Sequence, residues 1–103
     1  MTNPTRLVRY HTVQTATAAN TAAIEAVFTE LHQIQSPGLS YRVYRRGNEF
    51  FHLAQVGDVT AEPDPLRTIP AFRRFLAGIR DRTTTEPASD PVQLVGAYDA
   101  TVP

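Results

Sequence analysis

An α+β fold, with two helices on one face of a four-stranded antiparallel sheet, is predicted by three features of this 103-residue chain. Two stretches carry apolar residues at helical spacing, four are rich in β-formers, and two of the latter flank a Gly-Asn turn signal. Taken in order they read β-α-β-β-α-β, the split βαβ arrangement of ferredoxin-like domains.

Leu7 to Val13 alternates in residue type and is rich in β-formers, which predicts the first strand. From about Thr17 to Gln35 the period changes, and Ile24, Val27, Phe28, Leu31 and Ile34 fall on one helical stripe. Thr17 or Asn20 is placed to cap this helix, and Ser36-Pro37-Gly38 stops it. Leu39 to Arg45 and Glu49 to Val56 are joined across Arg46-Gly47-Asn48, where Gly47 and Asn48 can supply the positive φ of a tight hairpin. Gly57 to Ile69, with two prolines and several acidic residues, predicts a loop holding at most a short turn. Pro70 suits a helix's first turn, and Phe72, Phe75, Leu76 and Ile79 follow at i, i+3, i+4, i+7. After a polar linker from Thr83 to Pro91, Val92 to Tyr98 supplies the expected final strand.

Two helices can cover only one face of such a sheet, yet the third strand is apolar on both. Phe50, Ala54 and Val56 point one way, and Phe51 and Leu53 the other. Val8, Tyr10, Tyr44, Val95 and Ala97 are expected to add to the uncovered apolar surface. A face of this kind predicts a homodimer, with sheet packed on sheet.

Composition narrows the partners. Ten acidic residues balance ten basic ones, so the electrostatic excess that nucleic acid or an anionic membrane calls for is missing. All ten basic residues are Arg, a pattern of GC-rich bacterial codon usage. With no Cys, neither a disulfide nor a thiolate site can form. No apolar run approaches the ~20 residues of a membrane span, and MTNPTRLVRY lacks a signal peptide's apolar core, so a cytoplasmic location is expected. The three histidines, His11, His32 and His52, show no HxH or HExxH spacing, so no metal site is expected. His32 reads as an edge residue of the first helix. Arg73, Arg74, Arg80 and Arg82 read as the solvated face of the second.

LSYRVYR (Leu39 to Arg45), HLAQVGD (His52 to Asp58) and PAFRRFLAGI (Pro70 to Ile79), in this element order, resemble the dimeric α/β-barrel superfamily, particularly its antibiotic biosynthesis monooxygenase branch. That branch includes cofactor-independent oxygenases of polyketide aromatics and quinols, and haem-degrading relatives. The resemblance implies a substrate held between sheet and helices, with no cofactor, where the deprotonated substrate itself activates oxygen. It sets His52 at the position of a pocket asparagine and Val56 at that of a pocket tryptophan. The chain contains no Trp, and it lacks the Asn-Trp-His pattern of the haem-degrading branch.

Strand parity puts Phe50, His52, Ala54 and Val56 on one face, and pairs them with Leu7, Arg9, His11 and Val13 on the first strand. On the catalytic reading, His52 takes a proton from a phenol or quinol while Arg9 or His11 steadies the anion; imidazole suits this because it titrates near neutral pH. Phe28, Tyr41, Val56, Phe72 and Phe75 would contact the substrate. On the structural reading, His52 is hydrogen-bonded to a neighbour such as Tyr41, and Arg9 and His11 sit at a strand end or dimer rim. Two functions follow: a cofactor-independent oxygenase of a small aromatic molecule, or a non-catalytic small-molecule-binding or structural homodimer. A cavity of about 300 Å³ or more beside His52 is what the first requires.

Overall fold

The computed structural model describes residues 5–35, 37–56 and 65–98. The elements are β1 (Thr5–His11), α1 (Thr17–Ile34), β2 (Leu39–Arg46), β3 (Glu49–Val56), α2 (Pro70–Arg82) and β4 (Ala88–Val92). A single turn of 3₁₀ helix precedes each α-helix, at Gln14–Ala16 and Leu66–Thr68. The latter is the short turn expected within 57–69; positions 57–64 of that loop lie outside the described residues. All pairings are antiparallel and the sheet order is β2-β3-β1-β4, the ferredoxin-like arrangement.

In α1 the apolar stripe buries Ile24 and Val27 and half-buries Phe28 and Leu31, whereas Ile34, the last helical residue, is 57% exposed. Neither expected cap operates. Thr17 is the first helical residue and shares a hydrogen bond with the Thr12 hydroxyl (2.9 Å), while Asn20 is fully buried inside the helix. The helix ends where Gln35 turns left-handed (φ 51°) and donates its N–H to the Leu31 carbonyl.

Pro70 opens α2, whose Ala71, Phe75 and Ile79 are buried. The first turn of a helix has N–H groups without intrahelical partners, and here Glu30 of α1 accepts one, from Ala71 (2.9 Å). A carboxylate at this helix's positive end also suits the helix dipole. The two helices are thus joined by charge as well as by packing. In the hairpin, Arg46 pairs directly with Glu49, leaving the two-residue turn Gly47-Asn48. Only Gly47 takes positive φ (61°); Asn48 instead sends its side-chain N–H to the Thr12 carbonyl (2.6 Å), tying the hairpin tip to the end of β1.

Two expectations are corrected by pairing register. Val8 lies opposite His52, and Tyr10 opposite Phe50, so these β1 residues share the helix-covered face. Val8 and Tyr10 therefore do not belong to the uncovered surface, and Arg9 and His11 do. The last strand is Ala88–Val92, pairing with Thr5–Arg9, while 93–98 is outside any strand and Val95 is 99% exposed. ASDPV holds few β-formers. It is an edge strand, the place in a sheet where a proline such as Pro91 is tolerated.

The core fills the space between the covered face and the helices: Tyr10 and Phe50 from the sheet, Ile24 and Val27 from α1, Phe75 and Ile79 from α2, and Leu66 and Ile69 from the preceding turn. Tyr10 stacks on Phe50 with ring centroids 5.5 Å apart. Each buried aliphatic or aromatic side chain contributes roughly 1.5–3 kcal/mol by leaving water. On the other face Leu7, Phe51 and Leu53 are only partly shielded, and Tyr44 is 53% exposed. Arg46 lies over the Phe51 ring (5.6 Å). Among the described residues, no helix is long and apolar enough to cross a membrane.

Candidate functional site

A cavity of about 710 Å³ opens between the covered sheet face and α2. Val8, Ala54, Leu66, Phe72, Phe75, Leu76 and Ile79 make it largely apolar, and Tyr10, Tyr41 and His52 form its polar floor. This is well above what a small-molecule site occupies at the low end. Among the described lining residues there are two arginines, Arg6 and Arg67, and no carboxylate.

His52 is 5% exposed, and both of its ring nitrogens are engaged: Nε2 with the Tyr10 hydroxyl (2.6 Å) and Nδ1 with the Tyr41 hydroxyl (2.8 Å). Its ring also faces Phe75 (5.4 Å between centroids). Burial in these surroundings penalises the imidazolium and pulls the His52 pKa down to about 4. The ring is neutral at physiological pH. The same burial pushes the Tyr10 hydroxyl up to about 12 and raises that of Tyr41 further, with Tyr10 as a lesser contributor. Both phenols therefore keep their protons.

The network extends into both helices. Asn20 of α1 donates its side-chain N–H to the Tyr10 oxygen (3.0 Å), and Arg82 of α2 donates Nε–H to the Asn20 carbonyl oxygen (2.8 Å). Arg82 also donates to the Phe75 carbonyl (3.0 Å) and lies over the Phe75 ring (5.3 Å). It therefore does not join Arg73, Arg74 and Arg80 on a solvated face, as was expected of all four. Gly78 leaves room for it, because a Cβ there would overlap the Arg82 guanidinium.

Of the residues singled out from sequence, His52, Tyr41, Phe72 and Phe75 meet at the cavity. Phe28 does not line it; it stacks on Tyr41 (5.1 Å, 12°) from the far side, where a smaller space of about 350 Å³ is bounded by Phe28, Leu31, His32, Gln35, Leu39 and Tyr41. The Val56 side chain lies outside the described residues. Arg9 and His11 are brought to the opposite sheet face by the β1–β3 register, so within one chain neither reaches His52. His11 approaches Glu49 instead (3.8 Å). That carboxyl is held below its usual range chiefly by its hydrogen bond from Arg46 (2.7 Å). Among the described residues, no group of three or more His, Asp or Glu side chains is placed to hold a metal.

Asn20 and Arg82 were missed, yet spacing could have found them. Asn20, Ile24 and Val27 follow i, i+4, i+7, as do Phe75, Ile79 and Arg82. A polar residue continuing a buried stripe signals a satisfied polar partner in the core.

A neutral buried histidine makes stability depend on pH. Between about pH 6.5 and 4 the unfolded chain binds a proton at His52 that the folded chain refuses, so stability falls as pH drops through this window and is fully present above it. The lowered pKa corresponds to a total loss on the order of 3 kcal/mol. Urea unfolding at pH 7 and pH 4.5 is expected to show most of it, and His52→Gln is expected to flatten the profile over the same window. An unchanged profile in the variant would mean that another group sets the pH dependence.

No protein-family model matches the chain, and no curated protein is similar to it. Solved structures are similar. Rv0793 from Mycobacterium tuberculosis superposes with a TM-score of 0.75 at 18% identity, covering 95% of this chain and 100% of its own. A Bacteriodes thetaiotaomicron protein assigned by its name to the antibiotic biosynthesis monooxygenases gives 0.77 at 14%, covering 97% and 96%. SnoaB, a cofactor-independent oxygenase from Streptomyces nogalater, gives 0.67 at 14%, covering 97% and 100%. The chain thus has the ferredoxin-like α+β fold found in structures of antibiotic biosynthesis monooxygenases.

Proposed function

We propose that the chain binds a small oxygenated aromatic molecule in the cavity between sheet and α2, and acts on it as a cofactor-independent oxygenase. The cavity carries this reading: about 710 Å³ of mostly apolar space, walled by Phe72 and Phe75, with a cluster of hydroxyls and an imidazole at one end. Aromatic walls favour a flat ring, and convergent polar groups fix its orientation. SnoaB, which shares the fold, is a cofactor-independent oxygenase, and that supports the same class of chemistry here. An electron-rich phenol or quinol can supply the electrons for oxygen once deprotonated, so the site's task is to bind, orient and exclude water. His52 is the polar centre of this site. Arg9 and His11 have no part in it within one chain.

A second reading, a binding protein without chemistry, is favoured by one observation. Both His52 nitrogens are already bonded to tyrosines, which leaves no free lone pair to take a proton directly from a ligand.

We also infer that two copies pair through the uncovered sheet face. Leu7, Phe51, Leu53 and Tyr44 present apolar area there, and Leu94, Val95 and Tyr98 beyond β4 are exposed. Surfaces of this kind are rarely left in water. A two-fold pairing closes the assembly and covers both.

Oxygen uptake with a panel of hydroquinones and polyketide phenols separates the two activities. The oxygenase reading expects uptake with at least one substrate and a drop of about tenfold in His52→Ala, the worth of the hydrogen bonds through which His52 holds Tyr10 and Tyr41. Equal rates would remove His52 from the reaction, and binding without uptake would establish the second reading. For the dimer, sedimentation at micromolar concentration is expected to give twice the 11.4 kDa chain mass, and Leu53→Arg to return the monomer. A wild-type monomer would overturn the pairing.

A further inference from the structure

We propose that Arg82, Asn20, Tyr10 and His52 form a one-way hydrogen-bond relay whose end, the Tyr41 hydroxyl, donates to an oxygen acceptor on the ligand. The proposal rests on the cavity being the ligand site, and it names the group that the site recognises. The ligand is an aromatic ring bearing a carbonyl, quinone or phenolate oxygen, bound through Tyr41 and not through His52.

The direction follows from counting protons. Arginine has only donors, so the Asn20 atom that meets Arg82 Nε–H at 2.8 Å must be the carbonyl oxygen. The Asn20 amide nitrogen is thereby turned to Tyr10, and the Tyr10 oxygen accepts (3.0 Å). The Tyr10 proton then needs an acceptor of its own. Among the described residues the one within reach is His52 Nε2 at 2.6 Å, which must therefore be unprotonated. A neutral imidazole with bare Nε2 carries its proton on Nδ1, and Nδ1–H donates to the Tyr41 oxygen (2.8 Å).

The opposite order would bring two donors to the Tyr10 oxygen and leave its own buried proton without an acceptor. An unmade buried hydrogen bond costs about 1–3 kcal/mol, so the first order prevails by roughly fivefold or more. Tyr41 is then the one member whose proton finds no protein acceptor among the described residues, and Tyr41 lines the cavity. Stacking on Phe28 and edge contact with Phe72 (6.3 Å) hold its ring in place. The lining agrees with a ligand that accepts: it holds Arg6, and no carboxylate among the described residues. Arg82 and Asn20 are positioning residues: Asn20 acts on the ligand through three intervening groups and Arg82 through four.

Reversal of the relay is the test. In Asn20→Asp the carboxylate can only accept, so Tyr10 turns its proton towards position 20. His52 must then donate from Nε2, and Tyr41 turns its proton inward to Nδ1. Imidazole ¹⁵N chemical shifts of His52 are expected to show protonated Nδ1 in the wild-type protein and protonated Nε2 in Asn20→Asp. Affinities for 1,4-naphthoquinone and for naphthalene, a matched pair with and without oxygen, are measured alongside; the chain has no Cys or Lys for the quinone to alkylate.

Tyr41→Phe and Asn20→Asp are each expected to weaken naphthoquinone about tenfold, the worth of one hydrogen bond, and naphthalene by less than about twofold. Protonated Nε2 in the wild-type protein, or equal losses for both ligands, would overturn the proposal. If the tautomer is as stated and neither ring binds the wild-type protein, the cavity reading fails and takes the ligand donor with it. The two failures are therefore told apart by the spectrum.

Discussion

The burial of one neutral histidine constrains most of this structure. His52 sits in the central part of β3, on the face that both helices cover, and an imidazole there must have both nitrogens satisfied or lose on the order of 1–3 kcal/mol for each. Its two partners come from the strands on either side, Tyr10 from β1 and Tyr41 from β2. Tyr10 is in turn satisfied by α1 through Asn20, and Asn20 by α2 through Arg82. One chain of hydrogen bonds therefore crosses three neighbouring strands and both helices. Its members rigidify one another, since a network with every group paired specifies a single arrangement while a partly paired one is costly.

The same burial decides what the site can do. A histidine pulled down to about 4 is a weak base at neutral pH, so its value lies in passing on hydrogen-bond direction and less in taking up a proton. The tyrosines are held protonated by the same apolar surroundings, which makes them dependable donors across the physiological range. The cavity beside them is left unfilled by the core, although core positions normally pack to crystal-like density. Space of this kind costs stability, and an occupant that leaves the polar floor paired would recover it.

Much of the fold could be read from spacing alone. The stripes of Ile24, Val27, Phe28 and Leu31, and of Phe72, Phe75, Leu76 and Ile79, identify helices because their period is local and strong. The hairpin was legible from Gly47 for the same reason. The final strand was misplaced: ASDPV pairs at the sheet edge through backbone groups that residue type does not reveal, while the β-formers beyond it find no strand partner within the described chain. The site was half legible. Parity on β3 correctly grouped His52 with Phe50, and Tyr41 was named as a neighbour, but parity within one strand says nothing of its register with the next. Opposing Val8 to His52 sends Arg9 and His11 to the other face, and no local signal carries that information. Asn20 and Arg82 were visible as polar residues on apolar stripes, but their meaning depends on a partner 62 positions away.

The proposed recognition turns on one atom: the Tyr41 hydroxyl, not the His52 ring, meets whatever occupies the cavity. A crystal structure of the complex with a bound aromatic quinone tests it most directly. The expected result is the ring against Phe72 and Leu76, a quinone oxygen about 2.7 Å from Tyr41 Oη, and His52 still held between its two tyrosines. A ligand oxygen bonded to a His52 nitrogen, with Tyr41 or Tyr10 displaced, would contradict it.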